Sequence, residues 1–169
     1  MAHTFRFPSI FAGWWQAANF AYGAPGGPAA LVCDNASVIP ASPAVAQSMT
    51  VSFGYTTTVD GIVFYPLALL TPINVGTDGN GEAVTPLSVT ASGSNVYDAT
   101  SFTADFADAH GRGDPIASAT FGLQEALNLA GAAGGGKVVI DEVWKKLGGT
   151  DTIKNAATLP AGVTIVDNR

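Results

Sequence analysis

Asp78, Asn80 and Glu82 alternate along the run Thr77-Asp78-Gly79-Asn80-Gly81-Glu82, and side-chain oxygens in that pattern are the hard donors that calcium takes. The glycines do not fall where a calcium loop needs its sharp bend, so a glycine-rich turn between strands is the better account. Asp141 and Glu142 are a second carboxylate pair, the type that glycoside hydrolysis sets on either side of one sugar bond. Adjacent residues of an extended segment point to opposite faces, which disqualifies them for that task. Arg112-Gly113-Asp114 spells an adhesion tripeptide, yet an aspartate before Pro115 is equally a turn. His110 has only His3 for company, too few histidines for a metal cluster, and its polar surroundings predict an exposed side chain. Cys33 is the single cysteine, so no intrachain disulfide is available, and the preceding Ala30-Leu31-Val32 predicts a buried, inert thiol. These residues predict no catalytic group, no cofactor and no metal centre, so the chain reads as a non-enzyme.

Charge and composition narrow the function further. The 169 residues are 47% hydrophobic and carry a net charge of −6, with 12% charged residues, about half of the ~25% of an ordinary soluble domain. A real core is affordable, and much of the outer surface is uncharged or covered by another chain. Arg6 is the one cation before Arg112, against seven acids; from Arg112 onward six cations meet six acids. Phosphate backbones need clustered lysine and arginine, so nucleic-acid binding is excluded. No apolar run reaches the ~18 residues of a membrane span. Pro8, Gln16 and Asn19 interrupt the stretch before Gly23, which therefore lacks the compact core of a secretion signal.

The elements that carry these residues are mostly strands. Met49 to Tyr55 alternates Val51, Phe53 and Tyr55 with polar neighbours, and Asp60-Gly61 then turns into an apolar strand interrupted by Pro66, a strong hairpin pattern. Residues 72–76 and 83–91 flank the turn at 77–82 as a second hairpin, and Val96 to Phe106 gives another strand. Ala107 to Pro115 is polar and contains glycine, and it reads as a linker. Beyond it, Ala119, Leu123, Ala126, Leu127 and Ala130 recur at helical spacing, leaving Gln124, Glu125 and Asn128 for the other side. Ser118 or Thr120 caps this helix, Pro115 suits its approach, and Gly134-Gly135-Gly136 stops it before a buried strand at 137–140. Asp141 to Lys146 then reads as a solvated connection with Trp144 buried, followed by short β pieces at Thr152-Ile153 and 162–166.

The fold class predicted is mainly β with one short α-helix: a small antiparallel β-sandwich or barrel-like domain followed by a helix-capped short β unit. The division is an aromatic arm at 1–30, a β domain at 31–106, a linker at 107–115, and an oligomerising unit at 116–169. In the arm, Phe5, Phe7, Phe11, Trp14, Trp15, Phe20 and Tyr22 follow one another with no charge after Arg6. Such rings either complete the chain's own core or anchor a partner, and Phe11, Trp14, Trp15 and Tyr22 are the interface candidates.

The segment Gly122-Leu123-Gln124-Glu125-Ala126-Leu127-Asn128, with Gly134-Gly135-Gly136-Lys137-Val138-Val139-Ile140, resembles the opening of pectin-lyase-like parallel β-helices, common in the tailspikes of tailed phages. The resemblance implies a capping helix, a glycine turn and a first strand. Sugar cleavage in that family needs many further coils, for which the stretch after Ile140 has no room, so the activity is not carried over. With the low charge and the aromatic arm, the chain resembles a structural virion protein of tailed bacteriophages. The expectation is a head decoration, or cement, protein on the capsid surface, a homotrimer that binds the major capsid protein and neither nucleic acid nor membrane. The alternative is a tail-fibre or spike module that attaches to a host glycan.

Overall fold

The structure is a computed structural model that describes residues 14–42, 45–51, 57–59, 62–64, 71–77, 79–91 and 99–169. In chain order its strands are β1 (Trp14–Gln16), β2 (Leu31–Val32), β3 (Gln47–Thr50), β4 (Thr57–Val59), β5 (Ile62–Phe64), β6 (Ile73–Val75), β7 (Glu82–Val84), β8 (Ser88–Ala91), β9 (Ala99–Ala104), β10 (Pro115–Ser118), β11 (Gly136–Ile140) and β12 (Val163–Asp167). Three short helices, α1 (Leu123–Ala132), α2 (Glu142–Lys146) and α3 (Asp151–Ala156), lie among the last of them. The protein is mainly β, as its alternating sequence predicts.

Two antiparallel sheets form the first body, one in the order β2-β10-β6-β7 and one in the order β3-β9-β8. Alternation turns Ile73, Val75 and Ile116 of the first sheet and Met49, Phe102 and Ala104 of the second into one shared core, completed by Tyr22, Cys33 and Phe106. Of the two hairpins, the second is present as expected, whereas the first is confined to β4 and β5, since the strand at Met49 pairs with β9. Val59 pairs with Ile62, leaving two residues for the connection that Asp60-Gly61 predicts, and Val75 pairs with Glu82 around the second turn. The turn residues 60–61 themselves lie outside the described residues. The strand expected over 83–91 divides at Thr85-Pro86, because proline has no N–H to give a ladder; β7 stays in the first sheet and β8 crosses to the second.

The second body is a parallel sheet, β1-β11-β12, roofed by α1. Leu123, Ala126, Leu127 and Ala130 are fully buried against Trp15, Val138, Ile140 and Trp144, and each leucine contributes roughly 1.5–3 kcal/mol by leaving water. The N-cap is Gly122 and not Ser118 or Thr120 as expected; these two hydroxyls instead hold the turn that leads into the helix. Ser118 Oγ accepts from Gly122 N at 2.8 Å, and Thr120 Oγ1 accepts from Gln124 N at 3.1 Å. Gly122 itself has φ +82°, and a Cβ there would run into the carbonyl oxygen of Ala17, so glycine is required on both counts. After the helix, Gly134, Gly135 and Gly136 all take positive φ and turn the chain directly into β11.

Several expectations are corrected here. Residues 14–30 do not form a free arm: β1 is a strand of the parallel sheet, Ala17–Phe20 makes a turn of 3-10 helix against α1, and Tyr22 enters the sandwich core. Residues 107–115 are no loose linker, since Ile39 bridges His110 and Cys33 N donates to Asp114 O at 2.9 Å. The boundary at residue 116 falls inside β10, a central strand between β2 and β6. Pro115 therefore opens a strand, its missing N–H tolerated at the first position. Asp141 is the N-cap of a second helix, its Oδ1 accepting from Val143 N at 2.9 Å and Trp144 N at 3.0 Å. Asp141→Ala is expected to lower stability by about 1 kcal/mol, measured as a shift of the urea midpoint at constant slope. Thr152 and Ile153 belong to α3 rather than to a strand, because Thr150 caps a helical turn there by accepting from Ile153 N.

Candidate functional site

The interface candidates separate by burial. Trp15 is 3% exposed and Tyr22 fully enclosed, each inside one of the chain's two cores, so neither has a face left for a partner. Trp14 is half-buried on the opposite face of the parallel sheet, with the Lys137 ammonium 4.8 Å from its ring centroid. Phe11 lies outside the described residues. The alternation of a strand explains the division between the two tryptophans: Trp14 aligns with Lys137 and Thr164 on the outer face, and Trp15 with Val138 and Ile165 beneath α1.

Among the described residues, no strand pairs with the far side of β12 in the same sheet. Its order makes β12 the outermost strand on one side. Gly136 N donates to Gly162 O at 3.0 Å and Asn168 N to Ile140 O at 2.9 Å. The regular alternation of a parallel ladder then turns the N–H and C=O groups of Ile165 and Asp167 away from β11. Ile165 and Val166 are half-buried along this edge. A row of outward backbone donors and acceptors beside apolar side chains is the geometry that accepts another strand.

The residues singled out for chemistry are spent on architecture. Glu82 and Asn80 do not converge on a vacant ion position. Glu82 accepts from Ala107 N at 2.8 Å and Asp108 N at 3.0 Å, while Asn80 Nδ2 donates to Asp114 Oδ2 at 2.8 Å. Asp78 lies outside the described residues, and among the described residues no group of three or more His, Cys, Asp or Glu side chains is arranged to hold a metal. Asp114 of the Arg-Gly-Asp run faces inward to His110, and Arg112 pairs with Asp34 at 2.7 Å. Cys33 is buried as expected, and its thiol is pushed up by burial, which keeps it unreactive.

His110 is the residue that sequence reasoning missed. It is fully buried, contrary to the expected exposed side chain, with Nδ1 3.0 Å from Asp114 Oδ2 and Nε2 2.8 Å from Glu82 Oε1. Each ring nitrogen thus faces one carboxylate oxygen at hydrogen-bond distance. Phe106 meets its edge at 5.2 Å between centroids. Desolvation pushes the Glu82 carboxyl up, but two backbone N–H groups and the ring together hold it below its usual value. At Asp114 desolvation is likewise outweighed, by Gly111 N–H, the ring and Asn80. No local motif announces the cluster, because 28 residues separate His110 from Glu82.

Glu125, expected on the solvent side of α1, is also fully buried. Burial holds its carboxyl above the usual range, against the pull of the Ser118, Thr120 and Thr71 hydroxyls. Glu125 Oε2 accepts from Thr120 Oγ1 at 2.9 Å.

Among the described residues no helix is long and apolar enough to cross a membrane. No protein-family model, curated protein or solved structure matches the chain.

Proposed function

We propose that the chain is a structural virion protein of the tailed-bacteriophage class, without a catalytic step, that works by completing a β edge against neighbouring copies in a homotrimer. The observation that carries this reading is the outer edge of β12, with the backbone groups of Ile165 and Asp167 directed away from the sheet. The low charged fraction supports it, since an assembled protein keeps much of its surface out of water.

Two placements follow from the sequence: a capsid decoration protein on the major capsid protein, or a tail-fibre or spike attachment module. The parallel sheet roofed by α1 favours the second, because parallel strands beneath a helical cap are the start of a spike-like β-helix. Trp15 and Tyr22, the rings that a capsid-binding patch was expected to use, are enclosed in the chain's own cores. The wild-type protein is expected to run as a trimer by light scattering. Ile165→Pro removes one outward N–H and is expected to give a monomer with its far-UV circular dichroism retained. A wild-type monomer, or a trimer that survives the substitution, contradicts the reading.

A further inference from the structure

Glu125 sits where the chain passes from one body to the other. Ser118 ends β10, a central strand of the sandwich, and residues 119–122 turn the chain from there into α1. Thr71 precedes β6, which pairs with β10 through Ile73 and Ser118. Leu123, Ala126 and Leu127, the neighbours of Glu125 on α1, belong to the core of the parallel sheet. Glu125, Thr71 and Ser118 are all buried. Three hydroxyls converge on the carboxyl, those of Ser118, Thr120 and Thr71, with Thr120 Oγ1 2.9 Å from Glu125 Oε2. Ser118 Oγ and Thr120 Oγ1 lie 3.5 Å apart, and the same two oxygens accept from Gly122 N at 2.8 Å and Gln124 N at 3.1 Å. The acid is therefore bonded into the turn that joins the two bodies.

No counter-charge accompanies it. The strands β10 and β6, the residues 71–72, the turn at 119–122 and the 3-10 turn Ala17–Phe20 contain no charged residue, and on α1 Glu125 is the one charged position. Tyr22, whose carbonyl accepts from Ser118 N, ionises only near about pH 10 and places its ring in the sandwich core. On α3, Lys154 is paired with Asp151 and Asp167, each at 3.0 Å. Among the described residues, no ion pair includes Glu125. Burying a carboxylate without a cation is costly. A neutral carboxyl suits the same place, because its O–H donates to one hydroxyl while the others, which both donate and accept, turn to its remaining lone pairs.

We propose that Glu125 is a proton-operated joint between the two bodies: the neutral carboxyl closes the contact among Ser118, Thr120 and Thr71, and loss of its proton to solvent loosens it. Burial, which holds this carboxyl above its usual range, acts in the same direction. Below the ordinary glutamate value of about 4.3, the group is neutral whether the joint is closed or open, and the contact is complete. As pH rises from there through the raised value of the closed state, the opened state gives up its proton more readily and the contribution is lost. This limb runs opposite to that of Glu82 and Asp114, whose contribution is lost on acidification. The joint is complete within one chain, so the proposal does not rest on the assembly reading.

The test compares the wild-type protein with Glu125→Gln, which keeps the shape and a donor for the hydroxyls but cannot ionise. Between about pH 4 and about pH 8, the urea midpoint of the wild type is expected to fall relative to that of the variant. On the wild type alone, the side-chain carboxyl carbon of Glu125, followed by NMR, is expected to titrate above the ordinary glutamate value. Over the same range the amides of Thr120, Gly122 and Gln124 are expected to lose protection against hydrogen exchange, corrected for its intrinsic pH dependence, while those of β9 in the sandwich keep theirs. The two wild-type measurements decide the matter even where the variant does not fold. The inference is overturned by a Glu125 carbon that titrates at or below the ordinary value, by midpoints that run parallel in the two proteins, or by unchanged protection in the turn.

Discussion

Trp144→Ala is expected to destabilise the protein by about 3–5 kcal/mol, the range for removing a fully buried aromatic ring. The indole is completely enclosed, packs beneath α1, and donates from Nε1 to Phe121 O at 3.0 Å. Gly149 approaches so closely that a Cβ there would run into the ring, which shows how little slack surrounds it. Truncation both opens a cavity and leaves the Phe121 carbonyl without its donor. The loss is a few times that expected for the Asp141 cap, although the two residues share one short helix. Urea unfolding followed by far-UV circular dichroism separates the cases. A loss near 1 kcal/mol would mean that the parallel sheet and its helices do not form a continuous core.

His110→Ala carries the other large effect, about 3 kcal/mol, at the lower end for losing two hydrogen bonds to carboxylates of roughly 1.5–3 kcal/mol each. The lower end applies because Glu82 and Asp114 keep backbone donors and are slightly exposed, 11% and 21% for their side chains. The pH dependence has a definite sign. Both carboxyls are held below their usual values, so their contribution is fully present above the ordinary carboxylate range of about 3.9–4.3. It is lost as pH falls through the lowered values. The wild-type protein is therefore expected to lose stability steeply on acidification below about pH 4, and His110→Ala to show a shallower acid limb. Asp167, also held low by Arg169 and Lys154, contributes its own acid limb in both proteins, so the difference between the two curves is what reports on His110. Parallel curves would assign the acid sensitivity elsewhere.

Local pattern was sufficient wherever one segment decides its own state. The stripe from Leu123 to Ala130, the glycines that end α1, and the paired strands at 73–75 and 82–84 all follow from periodicity and turn chemistry. Contacts between distant segments were not legible. Trp14 to Gln16 becomes a strand because β11 offers it a parallel edge 123 residues away, as the Trp14↔Lys137 pairing shows. His110 is buried because Glu82 and Asp114 arrive from different turns to bond its two ring nitrogens. Glu125 fits helical periodicity for an outward side chain, yet the strand β10 and the Thr71 segment pack over that side of α1 and enclose it with Thr120 and Ser118. The aromatic run was read correctly as rings needing burial; its own chain provides the burial for Trp15, Phe20 and Tyr22. The strand at 162–166 was legible from its alternating valines and isoleucine, and it forms β12, the outermost strand of the parallel sheet among the described residues.

The native mass of the purified protein, by light scattering over a range of concentrations, tests the central claim most directly. Strand pairing across the β12 edge predicts the mass of three 17.1 kDa chains, maintained on dilution. A single-chain mass at every concentration would contradict it, and would leave the edge of β12 as a feature of an independent monomer.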